Sequence, residues 1–308
     1  MNKIILKVLK DPLYAAHIFR RRYLKWSIGN KIFAHSKEYR SDSENGDYAS
    51  AIVNALKNQK AFDNFKRSHS YRLILEHVSM AHGEEYLQIV QKRGDSLLEK
   101  ALCTVLQSDD LGNPIKYPYD GYKFPLSPTT LRYLKVASDL NGLFGQDLGK
   151  VAEIGCGYGG QEYVNDQLLN VEMTTLFDLP FVNKLIERYM NALLLDGAYE
   201  TTAINQAQPK DYDLVISNYA FSELPSVLQD VYIKKVLSRS ARGYLTMNSG
   251  LDGSRSIGKL SLSELSERLP RFEVYDEQPL TSPHNYLIVW GQNKEFSSSN
   301  LRVKKVTF

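Results

Sequence analysis

Short apolar runs alternate with amphipathic stretches in the second half of the chain, from about Lys150 onward. Seven of the runs have strand length, and they cover residues 151–155, 173–178, 201–204, 213–217, 243–247, 271–276 and 285–290. Most of the segments between these strands have apolar residues at helical spacing, and they cover 161–169, 181–195, 226–237 and 260–269. Alternation of this kind predicts an α/β fold, a parallel sheet covered by helices.

The last two runs, 271–276 and 285–290, differ from the others because almost no chain separates them. A parallel pair needs a crossover of a dozen residues or more, whereas an antiparallel pair needs only a short turn. We therefore predict a terminal hairpin, with the seventh strand antiparallel at or near an edge of the sheet.

The first half of the chain has a helical pattern. Apolar residues recur every three or four positions over 49–56 and 71–90, which predicts amphipathic helices. A loop rich in glycine, proline and tyrosine follows over 108–128. Ser127 then stands where a helix cap is expected, with Pro128 in the first turn. We predict a helical N-terminal region over 1–126, which caps the substrate side, and a catalytic domain over 127–308.

The charge of the chain is concentrated at one end. The whole sequence has 38 basic and 35 acidic residues, too small an excess to indicate nucleic acid as a partner. Residues 1–33 hold eight lysines and arginines but one acid. One interpretation of this segment is a peripheral contact with the inner face of the plasma membrane. The other is a solvated basic helix, or a contact with another enzyme or with a second subunit of a homo-oligomer.

Two cysteines, Cys103 and Cys156, are too few for a disulfide framework or a four-cysteine zinc site. No apolar run approaches the roughly 18 residues of a membrane span. These observations predict a cytoplasmic protein.

A glycine-rich turn, Glu153-Ile-Gly-Cys-Gly-Tyr-Gly-Gly160, links the first predicted strand to the first helix of the sheet. Glycine lets the backbone turn tightly and approach a ligand closely. Gly155, Gly157 and Gly160 satisfy the dinucleotide fingerprint, so a nicotinamide oxidoreductase is one interpretation. Glu153 favours the other, because a carboxylate repels a pyrophosphate but complements the ammonium and sulfonium of S-adenosylmethionine.

Asp178 ends the second predicted strand, 23 residues after Gly155. Nucleotide-binding folds place an acid there to bind the ribose hydroxyls, although a helix-capping aspartate would occupy the same position. The residues predicted to contact the cofactor are Glu153, Gly155, Gly157, Tyr158, Gly159, Gln161, Asp178, Leu179, Asn205 and Asn218.

Two motifs resemble those of class I methyltransferases. E-x-G-x-G-x-G at Glu153 resembles their motif I, and the segment 217–223, SNYAFSE, resembles their motif IV. The stretch 127–133, SPTTLRY, followed by Leu-Phe-Gly at 143–145 and by EIGCGYGGQ, resembles a family of bacterial sugar O-methyltransferases from surface-polysaccharide gene clusters. The resemblance covers roughly 114–290. It implies a Rossmann-like class I fold, S-adenosylmethionine as methyl donor, and a sugar hydroxyl in polysaccharide or glycolipid synthesis as acceptor.

Methyl transfer to a hydroxyl is a direct displacement that needs alignment and, for a weak nucleophile, a base. Candidate bases follow strands at their carboxyl ends, where ligands of such sheets bind. Glu223 follows the fourth strand, and His284 lies in the terminal hairpin. Each also has an ordinary interpretation, Glu223 as a helix-start acid or sugar ligand and His284 as a turn residue.

Aromatic and polar side chains near these positions are candidates for acceptor binding, because aromatic faces with hydroxyl tips suit sugars. They are Tyr117, Tyr119, Arg132, Tyr133, Tyr219 and Asn248. Some sugar methyltransferases hold a divalent metal through acids after the fourth and fifth strands, where this chain has Asn218 and Asn248. Neutral amides supply no charge to hold a cation, so we predict no metal. A methyltransferase for another small molecule or a protein, and a glycan-binding scaffold with a non-catalytic cofactor site, remain alternatives.

Overall fold

A computed structural model describes residues 46–94, 96–249 and 259–293 of the chain. The basic segment 1–33 and its two interpretations lie outside these residues, as does the side chain of Cys103. No helix within the described ranges is long and apolar enough to cross a membrane.

The chain divides into two compact units. The first comprises Met1–Gln88 and Asp109–Arg132, and the second comprises Ile89–Ser108 and Tyr133–Phe308. A division into a helical region 1–126 and a catalytic domain 127–308 stays a prediction.

The described part of the first unit begins with helices α1 (Gly46–Lys57), α2 (Gln59–Phe62) and α3 (His69–Arg72). Helix α4 (Met80–Lys92) continues into the second unit. Aromatic rings form the core, where Tyr71 stacks on Tyr48 at 5.5 Å between ring centroids and meets the Phe65 ring edge-on at 5.0 Å. Helix α1 contains the predicted helix over 49–56.

The single helix predicted over 71–90 is wrong. The structure ends α3 at Arg72 and begins α4 at Met80. Ser79 accounts for the new start, because its hydroxyl accepts a hydrogen bond from the backbone N–H of His82 at 3.1 Å, as an N-cap serine does. The apolar periodicity of the sequence continues between Arg72 and Met80, so the pattern does not show that the helix is interrupted there.

Helices α5 (Leu97–Thr104) and α6 (Leu106–Asp110) precede the long helix α7 (Pro128–Phe144). Helix α7 begins where predicted, but the Ser127 hydroxyl forms no hydrogen bond with any described residue. Asp109 caps the helix instead. Its carboxylate accepts the backbone N–H of Ser127 at 3.0 Å and the hydroxyl of Thr130 at 2.6 Å.

The second unit contains a seven-stranded sheet in the order β3-β2-β1-β4-β5-β7-β6. The strands are β1 (Asp147–Ile154), β2 (Asn170–Phe177), β3 (Tyr199–Thr202), β4 (Tyr212–Asn218), β5 (Ser240–Met247), β6 (Glu273–Asp276) and β7 (Tyr286–Trp290). Strands β1 to β5 pair in parallel, while β7 is antiparallel to both β5 and β6. The predicted Rossmann-like α/β fold and its terminal hairpin are confirmed.

Helices connect the strands as α8 (Gly160–Leu168), α9 (Pro180–Ala192), α10 (Ala220–Glu223), α11 (Ser226–Lys235) and α12 (Leu262–Arg268). One face of the sheet packs against α11 and α12 in a cluster that includes Ala152 and Ile154 of β1. Successive side chains of a strand point to opposite faces. Glu153, between these two residues, therefore points to the other face of the sheet.

Candidate functional site

The glycine turn at the carboxyl end of β1 has a backbone that only glycine adopts readily. Gly155, Gly157 and Gly159 have φ angles of 74°, 60° and 85°. A Cβ atom at Gly155 would lie 2.0 Å from the Cβ of Ala220, so the start of α10 approaches the turn too closely for any side chain. The turn is thus closely packed at the carboxyl edge of the sheet, where ligands of such folds bind, and Gly155 is its partly exposed residue.

Asp178 follows β2 and is held against this turn. Its Oδ2 accepts the backbone N–H of Gly157 at 3.0 Å, and its Oδ1 accepts that of Leu179 at 2.8 Å. Burial raises the pKa of Asp178 to about 6, although the backbone N–H groups oppose the rise. Each carboxylate oxygen has a second lone pair, so the group can still accept hydrogen bonds from a vicinal diol.

Glu153 lies in the middle of the sheet and is 4% exposed. Its partners in the neighbouring strands are the apolar residues Leu176 and Ile216. Its Oε2 forms no hydrogen bond with a described residue. Burial raises the pKa of this carboxyl well above its usual value, and the nearby acids Glu162 and Asp178 raise it further. Among the described residues, the charges that act on Glu153 are therefore those of other acids.

Glu162 is a site residue that the sequence analysis missed. It lies in the first turn of α8 and is 1% exposed. Burial raises its pKa to about 8. The Thr174 hydroxyl opposes part of this rise, although neither Thr174 Oγ1 nor Glu162 Oε2 makes a hydrogen bond of normal geometry with a described residue. The sequence signal was ambiguous, because acids are common in the first turn of exposed helices.

Gln161 connects the start of α8 with two other elements. Its side-chain nitrogen donates to the backbone oxygen of Tyr133 at 3.2 Å and to Asn165 Oδ1 at 2.9 Å. The amide of Asn218, at the end of β4, donates to Gln161 Oε1 at 3.5 Å. Three of the predicted site residues therefore meet beside the glycine turn.

Tyr158 is buried, with 1% of its surface exposed. Its ring meets those of Tyr133 and Tyr189 edge-on, at centroid distances of 6.0 and 4.9 Å. Its side chain thus packs inside the second unit as a core residue. Asn205 lies exposed in the turn after β3.

Glu223 and Asn248 meet at the ends of β4 and β5. The amide nitrogen of the Asn248 side chain donates to Glu223 Oε1 at 3.0 Å, and the Asn248 backbone N–H donates to the hydroxyl of Ser222 at 2.9 Å. Both Glu223 and Asn248 are partly exposed. Their contact forms a polar edge that a hydroxyl-bearing molecule can approach.

Tyr219 has a φ angle of 72°, which is strained for a residue with a side chain. Its hydroxyl donates a hydrogen bond to Glu277 and lies 3.4 Å from Thr281 Oγ1. Glu277 is 7% exposed, and its burial raises its pKa, while hydrogen bonds and the charge of Lys135 oppose the rise. The sequence analysis missed Glu277, which follows β6 without a motif.

His284 also has a positive φ angle, 63°, and its side chain is exposed in the turn between β6 and β7. The neighbouring Pro283 accepts a hydrogen bond from the Ser249 hydroxyl at 2.8 Å. The hairpin turn is therefore attached to the end of β5, one residue beyond Asn248.

Three predicted acceptor-binding residues belong to the first unit. Tyr117 exchanges two backbone hydrogen bonds with Leu126, at 2.9 and 3.0 Å. Tyr119 is 6% exposed, and its hydroxyl donates to the Met80 carbonyl at 3.5 Å. Arg132 is buried in α7. Within the first unit, Tyr119 therefore packs as a core residue.

Within the described ranges, no group of three or more histidine, cysteine or acidic side chains is arranged to hold a metal ion.

Comparison with known proteins finds likeness in structure alone. No protein-family model and no curated protein matches this sequence. A magnesium protoporphyrin IX methyltransferase from Synechocystis PCC 6803, solved with bound SAH, is 16% identical over 52% of this chain and 80% of its own, with a TM-score of 0.37. The pyocyanin biosynthetic protein PhzM is 13% identical over 53% of this chain and 56% of its own, with a TM-score of 0.39. Sequence identities and TM-scores this low carry no argument about function. The functional argument therefore rests on the residues of the site.

Proposed function

We propose that this protein is an S-adenosylmethionine-dependent methyltransferase that transfers a methyl group to a sugar hydroxyl. The observation that carries the proposal is Glu153, a carboxyl buried beside the glycine turn with one oxygen that no described residue hydrogen-bonds. An unpaired buried carboxylate is costly, and a bound cation relieves that cost. Pyrophosphate cofactors are anionic, whereas the methionine part of S-adenosylmethionine carries an ammonium and a sulfonium.

The remaining parts of the cofactor have matching groups. We assign the ribose hydroxyls to Asp178, whose carboxylate is oriented by the N–H groups of Gly157 and Leu179. The glycine turn lies at the carboxyl edge of the sheet, where ligands of such folds bind, and its Gly155 is partly exposed there. The amides of Gln161 and Asn218 lie at the same edge and can hydrogen-bond its polar atoms.

The bound cofactor supplies a methyl group on a positively charged sulfur, which an oxygen nucleophile can attack directly. The protein must align the acceptor oxygen and remove its proton. We assign the proton acceptor to Glu223, because Asn248 fixes one of its oxygens at 3.0 Å and the group stays partly exposed. The amides of Asn248 and Asn218 provide donors and acceptors suited to neighbouring hydroxyls of a sugar.

The acceptor class follows from the sequence resemblance together with this polar edge. A role in bacterial surface polysaccharide or glycolipid synthesis is the form of the proposal that the resemblance favours. We propose that the reaction needs no metal, because Asn218 and Asn248 stand where metal-dependent sugar methyltransferases have acids.

Calorimetric titration with S-adenosylmethionine, S-adenosylhomocysteine and NADH tests the cofactor. We expect micromolar binding of the first two and at least tenfold weaker binding to Asp178→Ala. Asp211→Ala is the matched control, because this exposed aspartate pairs with Arg239 on the surface. Binding of NADH alone would make the protein an oxidoreductase, and no binding of any of the three would favour a scaffold.

A second experiment tests the acceptor. The protein is incubated with methyl-labelled S-adenosylmethionine and free monosaccharides, nucleotide sugars, a lipid-linked glycan or a protein mixture. We expect label in a carbohydrate product as a base-stable methyl ether. Label confined to protein or to a non-carbohydrate acceptor would retain the methyltransferase and reject the sugar.

A further inference from the structure

Two carboxyl groups occupy the buried side of the glycine turn. Glu153 on β1 is 4% exposed and Glu162 on α8 is 1% exposed. Each has an Oε2 atom that makes no hydrogen bond with a described residue. A carboxyl group in such surroundings is more stable protonated than ionised, because the interior solvates the anion poorly.

The charges that act on the pair are negative. Glu162 and Asp178 both raise the pKa of Glu153, and Asp166 raises that of Glu162, while Thr174 lowers it in part. Cys156, within the turn, is a further weak acid, whose pKa is raised by burial and then by Glu153, Asp178 and Glu162. In the part of the chain that the structure describes, no cation contributes to the pKa shift of either glutamate.

We propose that the Glu153–Glu162 pair holds a proton in the free protein and releases it to solvent when the cationic methionine part of S-adenosylmethionine binds. A neutral carboxylic acid thereby becomes a carboxylate that faces the cation, and the proton passes to water. This inference rests on the proposed cofactor. It adds Glu162 to the site as a positioning residue, which acts through the protonation state of Glu153.

Release of a proton on binding determines the direction in which cofactor affinity changes with pH. Below the pKa of the pair, cofactor affinity rises about tenfold per pH unit, because each binding event releases one proton. Burial raises the pKa of Glu162 to about 8 and that of Glu153 well above its usual value, so the affinity keeps rising to higher pH than it would beside an ordinary carboxyl. A site with an ordinary carboxylate would already have reached constant affinity at about pH 6.

Calorimetry of S-adenosylmethionine binding in two buffers of different ionisation enthalpy measures the released proton. We expect about one proton released per cofactor at about pH 6.5, and about tenfold tighter binding at pH 7 than at pH 6. Near pH 6.5 the cofactor's own amino group stays charged, since such groups titrate at about 7.7–8.0.

Three variants separate the pair from a merely structural role. Glu153→Gln should abolish proton release and weaken binding. Glu162→Gln removes a neighbouring acid, so it should lower the pKa of Glu153 and shift the rise in affinity to lower pH. The control is Glu172→Gln, because Glu172 lies on β2 with an exposed side chain that pairs with Lys150. This control should reproduce the wild-type profile.

Carboxyl-carbon NMR of the free protein provides a second readout that needs no cofactor. We expect two glutamate signals that titrate above the usual range of a carboxyl, one absent from each Gln variant. Ordinary titration of both carboxyls, or cofactor binding without proton release or pH dependence, would overturn the inference and leave the proposed function intact. Absence of cofactor binding at every pH from 6 to 8 would instead reject the proposed function and the inference with it.

Discussion

The hydroxyl of Tyr219 donates a hydrogen bond to the carboxylate of Glu277, and this contact joins the end of β4 to the hairpin between β6 and β7. Thr281 completes the arrangement with its backbone N–H, which donates to Glu277 Oε2 at 3.0 Å. The strained backbone of Tyr219, at a φ angle of 72°, is thus fixed from the far side of the site.

Removal of this hydroxyl in Tyr219→Phe should destabilise the protein by about 1.5–3 kcal/mol, the usual contribution of a hydrogen bond to a charged group. Denaturant unfolding measures the change. The matched control is Tyr275→Phe, because the Tyr275 hydroxyl also donates to a glutamate, the exposed Glu273 on the same hairpin. We expect a loss of about 1 kcal/mol or less there. Equal losses of unfolding free energy in the two variants would show that the Tyr219–Glu277 hydrogen bond stabilises the protein no more than the exposed one does.

Replacement by alanine should change the stability of the protein in opposite directions at two glycines. Gly155→Ala combines a φ angle of 74° with a contact of 2.0 Å to Ala220, so we expect destabilisation of at least about 1–3 kcal/mol and loss of cofactor binding. Gly142 lies exposed in α7 with no atom within 4 Å of an added Cβ. Its replacement should stabilise the helix by roughly 0.5–1 kcal/mol. Thermal unfolding compares the two, and a tolerated Gly155→Ala would contradict the geometry of the turn.

Glu162 should make stability depend on pH. Its pKa is about 8 in the folded protein against 4.5 for an ordinary glutamate, so between these values the folded state keeps a proton that the unfolded state has lost. Stability from this group is therefore present at low pH and falls as pH rises, by up to about 1.4 kcal/mol per unit. Glu162→Gln should flatten the curve over that window. A variant as pH-dependent as the wild type would assign the slope to other groups.

Glu223 and His284 give a direct comparison of candidate bases. Once an acceptor is known, Glu223→Gln should lower kcat about 10²–10⁴-fold, as expected for loss of a general base. His284→Gln should remain within severalfold of the wild type, because its side chain is exposed in the hairpin turn. The reverse result would assign proton removal to His284. The pH dependence of kcat in each variant shows which group titrates.

Much of the sheet could be predicted from the sequence, because strand length and apolar content follow directly from burial. Each of the seven predicted runs overlaps an observed strand, and the pairing of β6 with β7 follows from the short link between them. The positions of Glu153, Gly155 and Asp178 at the carboxyl edge could also be predicted, since a parallel sheet brings its strand ends together.

Contacts distant in sequence could not be predicted. The cap of α7 comes from Asp109 rather than the adjacent Ser127, since only the tertiary fold brings that carboxylate to the helix start. Glu162 and Glu277 carry no motif, and their chemistry arises from burial that a single sequence does not reveal. Tyr158, by contrast, lies in the motif and yet its ring packs against Tyr133 and Tyr189.

The position of β7 between β5 and β6 also bears on biosynthesis. It is the last described strand in sequence, yet it pairs with β5 in the interior of the sheet, where the ring of Trp290 covers Gly243. Until the hairpin of residues 273–290 has docked, β5 is therefore an unpaired edge that another chain could join. A chain cut before residue 273 would keep that edge open permanently, so it should associate with other chains where the full chain does not.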